Sequence, residues 1–476
     1  MAPHVSVRRC VAGGVVAVAC LCGAAYVWSR PLATPDWRDW LGRGTRAPLS
    51  LVLSADPGDM IGGFSEAALL LEVAVDLVPL DTVAEELYCP TAYLGEIGGN
   101  AALIATTGIG ATRAALCLDS LLRKFGARTR EVMFLGTAGG SPAIGGLLDS
   151  ADCGRARAPE PARVARLGDV CVSPFATNWD CQRCFWADEP YRKPAPGEAP
   201  FAVTRERNAC ARAPCSLHTR WDLFGDFGCS YYAETALADE VLAAARAAPP
   251  PTTPRRLAAY EAAFWDATAA ARGAEGWGAA HAAAVGARPG ATYLGYDVCA
   301  EATSMTYFKG APYDELARSY VADLLADADA GLGLASPGAP RPTKSDVLAV
   351  SAMEGTGWMS VLKQSEVYLK FAHIPRVAPR PTGRRRSGAP GHRATATAGR
   401  AFPPPRRSAN IRGIADYTHD PLVRYGDEVW LEDADWVDEG ERMNYTVAGY
   451  RYAIQTTSAA VIALFDARAR APSPPR

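Results

Sequence analysis

The chain has 476 residues, of which 49% are hydrophobic and 21% charged, with a formal net charge of −2. That apolar share excludes a wholly disordered chain, and the near-neutral balance disfavours a globally basic nucleic-acid binder. Length alone suggests two to three domains, and 44 glycines with 36 prolines predict long loops or insertions.

Residues 1–30 read as a signal-anchor or a signal peptide. Cys10 to Trp28 carries no charged side chain, and Arg8 and Arg9 precede it. The length suits a membrane-spanning helix and the arginine pair predicts a cytoplasmic start, which places the rest in the lumen or outside. Small residues near Gly23 to Ala25 fit cleavage instead. A membrane contact is therefore expected only if this helix stays uncleaved, and the body is assigned to the secretory pathway, anchored or secreted. Residues 31–48 are a linker. Ten cysteines lie beyond the apolar segment. Cys181-x2-Cys184, with Cys210, Cys215 and His218, has some likeness to a zinc site, but disulfides are the simpler reading in an exported chain. Asn444-Tyr445-Thr446 is a sequon, usable only in the lumen.

From residue 49 the pattern is α/β. Leu49 to Ser54 predicts a buried strand, Leu103 to Thr107 another, and Ile109 to Phe125 an apolar-faced helix stopped by Gly126. Val132 to Thr137 is a third strand, running into Ala138-Gly139-Gly140. Strand, helix, strand at this spacing is a βαβ unit of a parallel or mixed sheet. Val170 to Pro174 adds a strand. Residues 177–293 break the rhythm with five cysteines, Trp179, Trp186 and Trp221 among their aromatic residues, and an Ala-rich stretch, Leu257 to Val285, that predicts helix. Alternation returns at Thr292 to Cys299, at Asp346 to Val350 and in a helix from Gly355 to about Leu369. Residues 376–407 hold nine arginines and six prolines with no Asp, Glu or Lys, a composition that buries no core and predicts disorder. Such a segment is either a basic loop or a translated intron, and without its arginines the rest of the chain is acidic. Asn410 to Ala415 predicts a strand, Gly449 to Asp466 an amphipathic helix, and 467–476 a tail.

Three stretches are candidates for chemistry. Gly136-Thr137-Ala138-Gly139-Gly140 ends a strand, where glycines let backbone amides approach an anion or a water; taken alone, a tight strand-to-helix turn is the simpler reading. Met353-Glu354 precedes a helix, and its carboxylate can accept both hydroxyls of a ribose or simply complement the helix dipole. Arg412-Gly413-Ile414-Ala415-Asp416 is an apolar strand ending on an acid, which faces the ligand crevice of an open α/β sheet or acts as a cap.

Together with Leu167-Gly168-Asp169-Val170, these motifs resemble the nucleoside phosphorylase and nucleosidase superfamily, especially its plant and algal branch related to bark storage proteins. The resemblance covers 49–176, 294–374 and 409–466. It implies one three-layer α/β domain, residues 49–466, built on a twisted mixed β-sheet flanked by helices, with the large Cys-containing insertion 177–293 and the disordered insertion 376–407. It also implies cleavage of the N-glycosidic bond of a purine nucleoside or thio-nucleoside, without cofactor or metal, phosphate being a co-substrate only if the reaction is phosphorolytic. The only partner it implies beyond the nucleoside is a possible homo-oligomer, and no nucleic acid. By position, Glu354 would hold the ribose hydroxyls with Met353 lining the sugar, and Asp416 would protonate or hydrogen-bond the leaving purine. Ser304-Met305-Thr306-Tyr307-Phe308 matches the stretch whose last Phe stacks on the base, so Phe308 is the stacking candidate and Ser304 lies in the binding stretch. Thr137, Ala138 and Gly139 would sit beside the nucleophile. Phosphorylases of the superfamily carry a Gly-Asp-Pro-x-Arg phosphate grip where this chain reads Ser54-Ala55-Asp56-Pro57-Gly58-Asp59. Asp59 stands where the arginine would be, and a carboxylate there repels phosphate. Related nucleosidases have a water-activating glutamate in this region, so Asp59 is the candidate for that role and hydrolysis is favoured. Ala352 and Ala415 depart from the family pattern. The alternative from another class is a non-catalytic nucleoside-binding or storage protein.

Overall fold

The computed structural model describes residues 37–42, 48–58, 63–146, 160–178, 182–184, 215–217, 230–255, 257–259, 261–262, 265, 277–288, 290–304, 311–334, 340–371, 407–417 and 439–471. The chain divides into two units, Met1–Arg46 and Ala47–Arg476. In the first, the described residues form a short helix, α1 (Trp37–Gly42).

The second unit is built outward from β1 (Leu49–Ser54), which is buried along its whole length. A continuous apolar run of this kind belongs in the middle of a sheet covered on both faces. The strand lies parallel to β4 (Asn100–Thr106) on one side and β5 (Thr129–Gly140) on the other. The crossover between them is helix α3 (Ala111–Phe125), closed by Gly126, whose N–H donates to the Leu122 carbonyl at 2.8 Å. Beyond β4 the sheet continues through β3 (Thr91–Ile97) to β2 (Val75–Pro79), both antiparallel additions preceded by the short helix α2 (Ala68–Val73).

β5 is where the sheet branches. Its first half pairs with β1 and its end pairs antiparallel with β13 (Leu348–Ala352), while β14 (Arg407–Tyr417) runs parallel along its other edge. From β14 the sheet reaches β6 (Val170–Ser173) and β11 (Tyr293–Gly295). From β13 it reaches β12 (Cys299–Thr303), β7 (Phe175–Asn178) and β10 (Ser230–Tyr232). The result is one 12-stranded mixed sheet; a separate pair, β8 (Gln182–Cys184) and β9 (Cys215–Leu217), sets Cys184 opposite Cys215.

Alternation along β5 distributes the helices. Met133 and Leu135 face a core that contains Leu237, Val241, Ala460, Val461, Leu464 and Phe465, from helices α4 (Ala236–Ala247) and α8 (Glu439–Arg470). Phe134 points to the other face and stacks on Trp358 of α7 (Gly355–Phe371), with ring centres 5.8 Å apart. Helix α6 (Ala311–Leu332) covers β12 and β13. Helix, sheet, helix is the expected three-layer α/β arrangement.

Several expectations change in detail. The apolar stretch Thr292 to Cys299 divides into β11 and β12. The Ala-rich stretch yields helix α5 (Trp277–Ala287) and a buried helical face, Leu257, Glu261 and Trp265, at four-residue steps. Insertion 177–293 is part of the core, because α4 buries Leu237, Ala238, Val241, Leu242 and Ala245 against β5, β6 and α8. β14 begins at Arg407, the last residue of the segment expected to be disordered. Disulfides Cys89–Cys117 and Cys171–Cys299 lie among the described residues. The apolar segment Cys10 to Trp28, the cysteines 181 and 210, His218, and residues 376–406 lie outside them. No helix among the described residues is long and apolar enough to cross a membrane. The sequon falls in the first turns of α8.

Candidate active site

The ends of β5, β12, β13 and β14 meet around Gly139. On one side Ser351 of β13 is its register partner, and on the other Asp416 of β14. A bulge between Ile414 and Asp416 brings the acid into that register; one extra residue in a strand re-aims the side chain that follows. β12 runs parallel to β13, and the Ser304 N–H donates to the Ala352 carbonyl at 3.0 Å. Thr137, Ala138, Gly139, Ser304, Met353, Glu354 and Asp416 are therefore gathered at one edge of the sheet. Phe308 and Asp59 lie outside the described residues.

Beneath that edge is a buried ionic cluster. Arg412 is 1% exposed; its Nε donates to Glu301 Oε2 at 2.7 Å and its Nη2 to Glu354 Oε2 at 3.1 Å. The guanidinium lies 4.7 Å from the ring centre of Phe134. Glu301, fully buried, also accepts from Thr303 Oγ1, Asn410 Nδ2 and the Gly355 N–H at 2.8, 2.6 and 2.8 Å. It thereby fixes the first turn of α7, next to Glu354. Glu354 Oε1 accepts the Gly110 N–H at 3.0 Å, and the Met353 N–H lies 3.3 Å from Oε2. Burial pushes the Glu354 carboxyl above its ordinary pKa; Arg412 opposes the rise, and the neighbouring Glu301 and Glu66 add to it. Burial would lower Arg412, but Glu301, Glu354 and Glu66 outweigh that and hold it charged.

Glu66, just ahead of α2, is the carboxylate that sequence reasoning missed. It is 2% exposed and sits in a cradle of four donors. Oε2 accepts the Ala55 and Asp56 N–H groups at 2.8 and 3.1 Å, and Oε1 accepts the Thr137 N–H and Oγ1 at 2.8 and 3.0 Å. Burial raises its pKa, against the pull of Thr137, Arg412, Asp56 and Ala55. Gly136 makes this geometry possible, since a Cβ there would lie 2.9 Å from Arg412 Nη1 and 3.0 Å from both Glu66 oxygens. Arg412 Nη1 is buried without a hydrogen-bond partner and faces Glu66 across that glycine. The available signal was Ser65-Glu66 immediately before the apolar run Ala67 to Leu71, seven residues beyond Asp59.

No protein-family model matches the chain, and no curated protein does. Among solved structures, it is similar to the 5'-methylthioadenosine/S-adenosylhomocysteine nucleosidase of Neisseria meningitidis in complex with methylthio-immucillin-A. The identity is 12%, covering 88% of this chain and 99% of that one, with a TM-score of 0.38. The Streptococcus pneumoniae nucleosidase follows at 10%, 88% and 99%, with a TM-score of 0.38. Futalosine hydrolase of Helicobacter pylori stands at 10%, 88% and 98%, with a TM-score of 0.37. These structural neighbours are nucleoside-cleaving enzymes. At such identities and scores, the roles of residues in this chain rest on its own geometry.

Proposed function

We propose that this protein hydrolyses the N-glycosidic bond of a purine nucleoside or thio-nucleoside, with Glu66 in the water-activating role that the sequence had offered to Asp59. The observation that carries the reading is the occupied cradle. Backbone amides of Ala55, Asp56 and Thr137, which would suit a phosphate, already serve an internal carboxylate. A phosphate dianion there would meet Glu66 and the buried Asp56, and the charge of Arg412 is already balanced by Glu301 and Glu354. Like charges at that distance in a dry site are strongly disfavoured. Water carries no such penalty.

The chemistry follows from the residue types. Three of the four donors to Glu66 are fixed amides; the Thr137 hydroxyl can rotate and vacate Oε1 for a water. Arg412 Nη1, facing the same point, supplies a donor to that water's oxygen. Glu66 takes a proton as the water oxygen bonds to the anomeric carbon. The carbon–nitrogen bond breaks with its electron pair going to the purine, and Asp416 gives that purine a proton. A proton on the leaving base and a carboxylate on the sugar hydroxyls, Glu354, each lower the barrier to an oxocarbenium-like state. Met353 and Ser304 line the sugar and base, and Ala138 and Gly139 flank the water. No step calls for a metal or organic cofactor. The two disulfides suit an oxidising compartment, which supports the secretory-pathway reading.

The test is purine release from adenosine, inosine and methylthioadenosine, with and without phosphate. Equal release in both buffers is expected; turnover that requires phosphate would overturn the hydrolytic assignment.

A further inference from the structure

The last helix touches both halves of the site. Gly449 packs so closely on β14 that a Cβ there would lie 2.5 Å from the carbonyl oxygen of Ala415, the residue before Asp416. One position on, Tyr450 is 6% exposed and its hydroxyl donates to Asp56 Oδ2 at 2.7 Å. Arg451 follows, its guanidinium 5.3 Å from the ring centre of Phe64. Three consecutive residues of α8 thus grip the acid-bearing strand and both ends of the loop that holds Glu66.

Asp56 is the hub of that loop. Its Oδ1 accepts the Gly58 N–H at 2.8 Å, and its carbonyl accepts the Glu66 N–H at 3.1 Å and Ser65 Oγ at 3.2 Å. Its own N–H donates to Glu66 Oε2. Moving Asp56 therefore moves Glu66. The Tyr450 hydroxyl, from a separate element, holds Asp56 by its Oδ2. Burial, together with Glu66 and Asp56, holds the Tyr450 phenol far above its ordinary pKa, so it remains a donor at any physiological pH.

We infer that Tyr450, acting through Asp56, is a positioning residue for Glu66, so that α8 sets the spacing between the water-activating carboxylate and the acid on β14. This rests on the proposed assignment of Glu66. A loop carrying a base without such a tether would place its carboxylate loosely, and misplacement by about 1 Å can cost roughly a hundred-fold in rate.

The experiment compares wild type, Tyr450→Phe and Asp56→Asn as full-length chains. Tyr450→Phe removes only the hydroxyl. Its kcat for purine release is expected to fall roughly ten- to a hundred-fold with KM within about two-fold. The acid limb of its kcat profile should move to higher pH, because the Ala55 and Asp56 amides no longer hold the charged form of Glu66. Arg412, Glu354 and Asp56, the other charged groups around Glu66, are unchanged in that variant. Asp56→Asn keeps an acceptor for Gly58 and an amide that can donate to the tyrosine oxygen, so it should retain more kcat than Tyr450→Phe. Hydrogen exchange reads the tether without turnover: the amides of 55 and 56 should exchange faster in Tyr450→Phe while those of β4 do not change. Unchanged exchange at 55 and 56, or protection lost throughout the sheet, would overturn the positioning role. A wild-type chain with no turnover would sink the hydrolase reading alone, and the exchange result would still decide the tether.

Discussion

Glu131 lies at the far end of β5 from the site and makes the most quantitative test of the fold. It is fully buried, and accepts from Ser50 Oγ at 2.6 Å, from Arg468 at 2.5 and 3.1 Å, from Arg407 at 2.7 Å and from Arg130 at 3.1 Å. Glu240 of α4 shares the Arg407 and Arg468 partners. The network joins β1, β5, β14, α4 and α8. Burial works against the charge of Glu131, but Arg468, Ser50 and Arg130 outweigh it and hold the pKa down to about 2, against an ordinary 4.5. By linkage that difference is worth about 3 kcal/mol. Because the folded value is the lower one, the stabilisation is complete above pH 4.5 and is lost as pH falls towards about 2. Glu131→Gln keeps the shape and removes the charge. Denaturant unfolding of both chains should show the variant less stable by about 3 kcal/mol at neutral pH, with the gap closing between about pH 4.5 and 2. A gap that stays constant across that range would refute the reasoning, since it would mean the carboxylate's charge is not what the arginines recognise.

Other expectations are more direct. Glu66→Gln and Asp416→Asn should each lower kcat roughly a hundred- to ten-thousand-fold in a purine-release assay while leaving the melting temperature nearly unchanged for Asp416. In the wild type, activity should fall as pH drops through a Glu66 pKa above the ordinary carboxylate value, which a kcat profile locates. Gly357→Ala places a Cβ 2.0 Å from the Ala111 carbonyl oxygen, so α3 and α7 must separate. A loss of roughly 1–3 kcal/mol is expected by thermal or denaturant unfolding. Disulfide Cys171–Cys299 ties β6 to β12 across buried strands, so thiol labelling should require denaturant. Removing the bond with a Cys299→Ala, Cys171→Ala pair should cost about 2–4 kcal/mol.

Much of the fold was readable because continuous apolar runs and helix stops are local signals. β1 was placed at its observed bounds, and α3 with its Gly126 stop within two residues. Helix α4 escaped notice because Ala-rich turns give little contrast between faces, and its burial is set by strands far away in sequence. The site divides the same way. Glu354 and Asp416 sit at strand ends, where position alone suggests a ligand. Glu301 was not singled out from the sequence; its place in the buried strand Cys299–Thr303 and its partner Arg412 emerge only in the fold. Glu66 was hidden because its importance comes from four donors, two contributed by β5 and two by the loop end nearest β1. No spacing along the chain encodes that convergence.

The most direct test of the central claim is the identity of the sugar released from a purine nucleoside in heavy-oxygen water containing phosphate. Activation of water at Glu66 predicts the free sugar, with the heavy oxygen on its anomeric carbon, and loss of that product in Glu66→Gln. A sugar 1-phosphate, or free sugar formed equally well by Glu66→Gln, would contradict it.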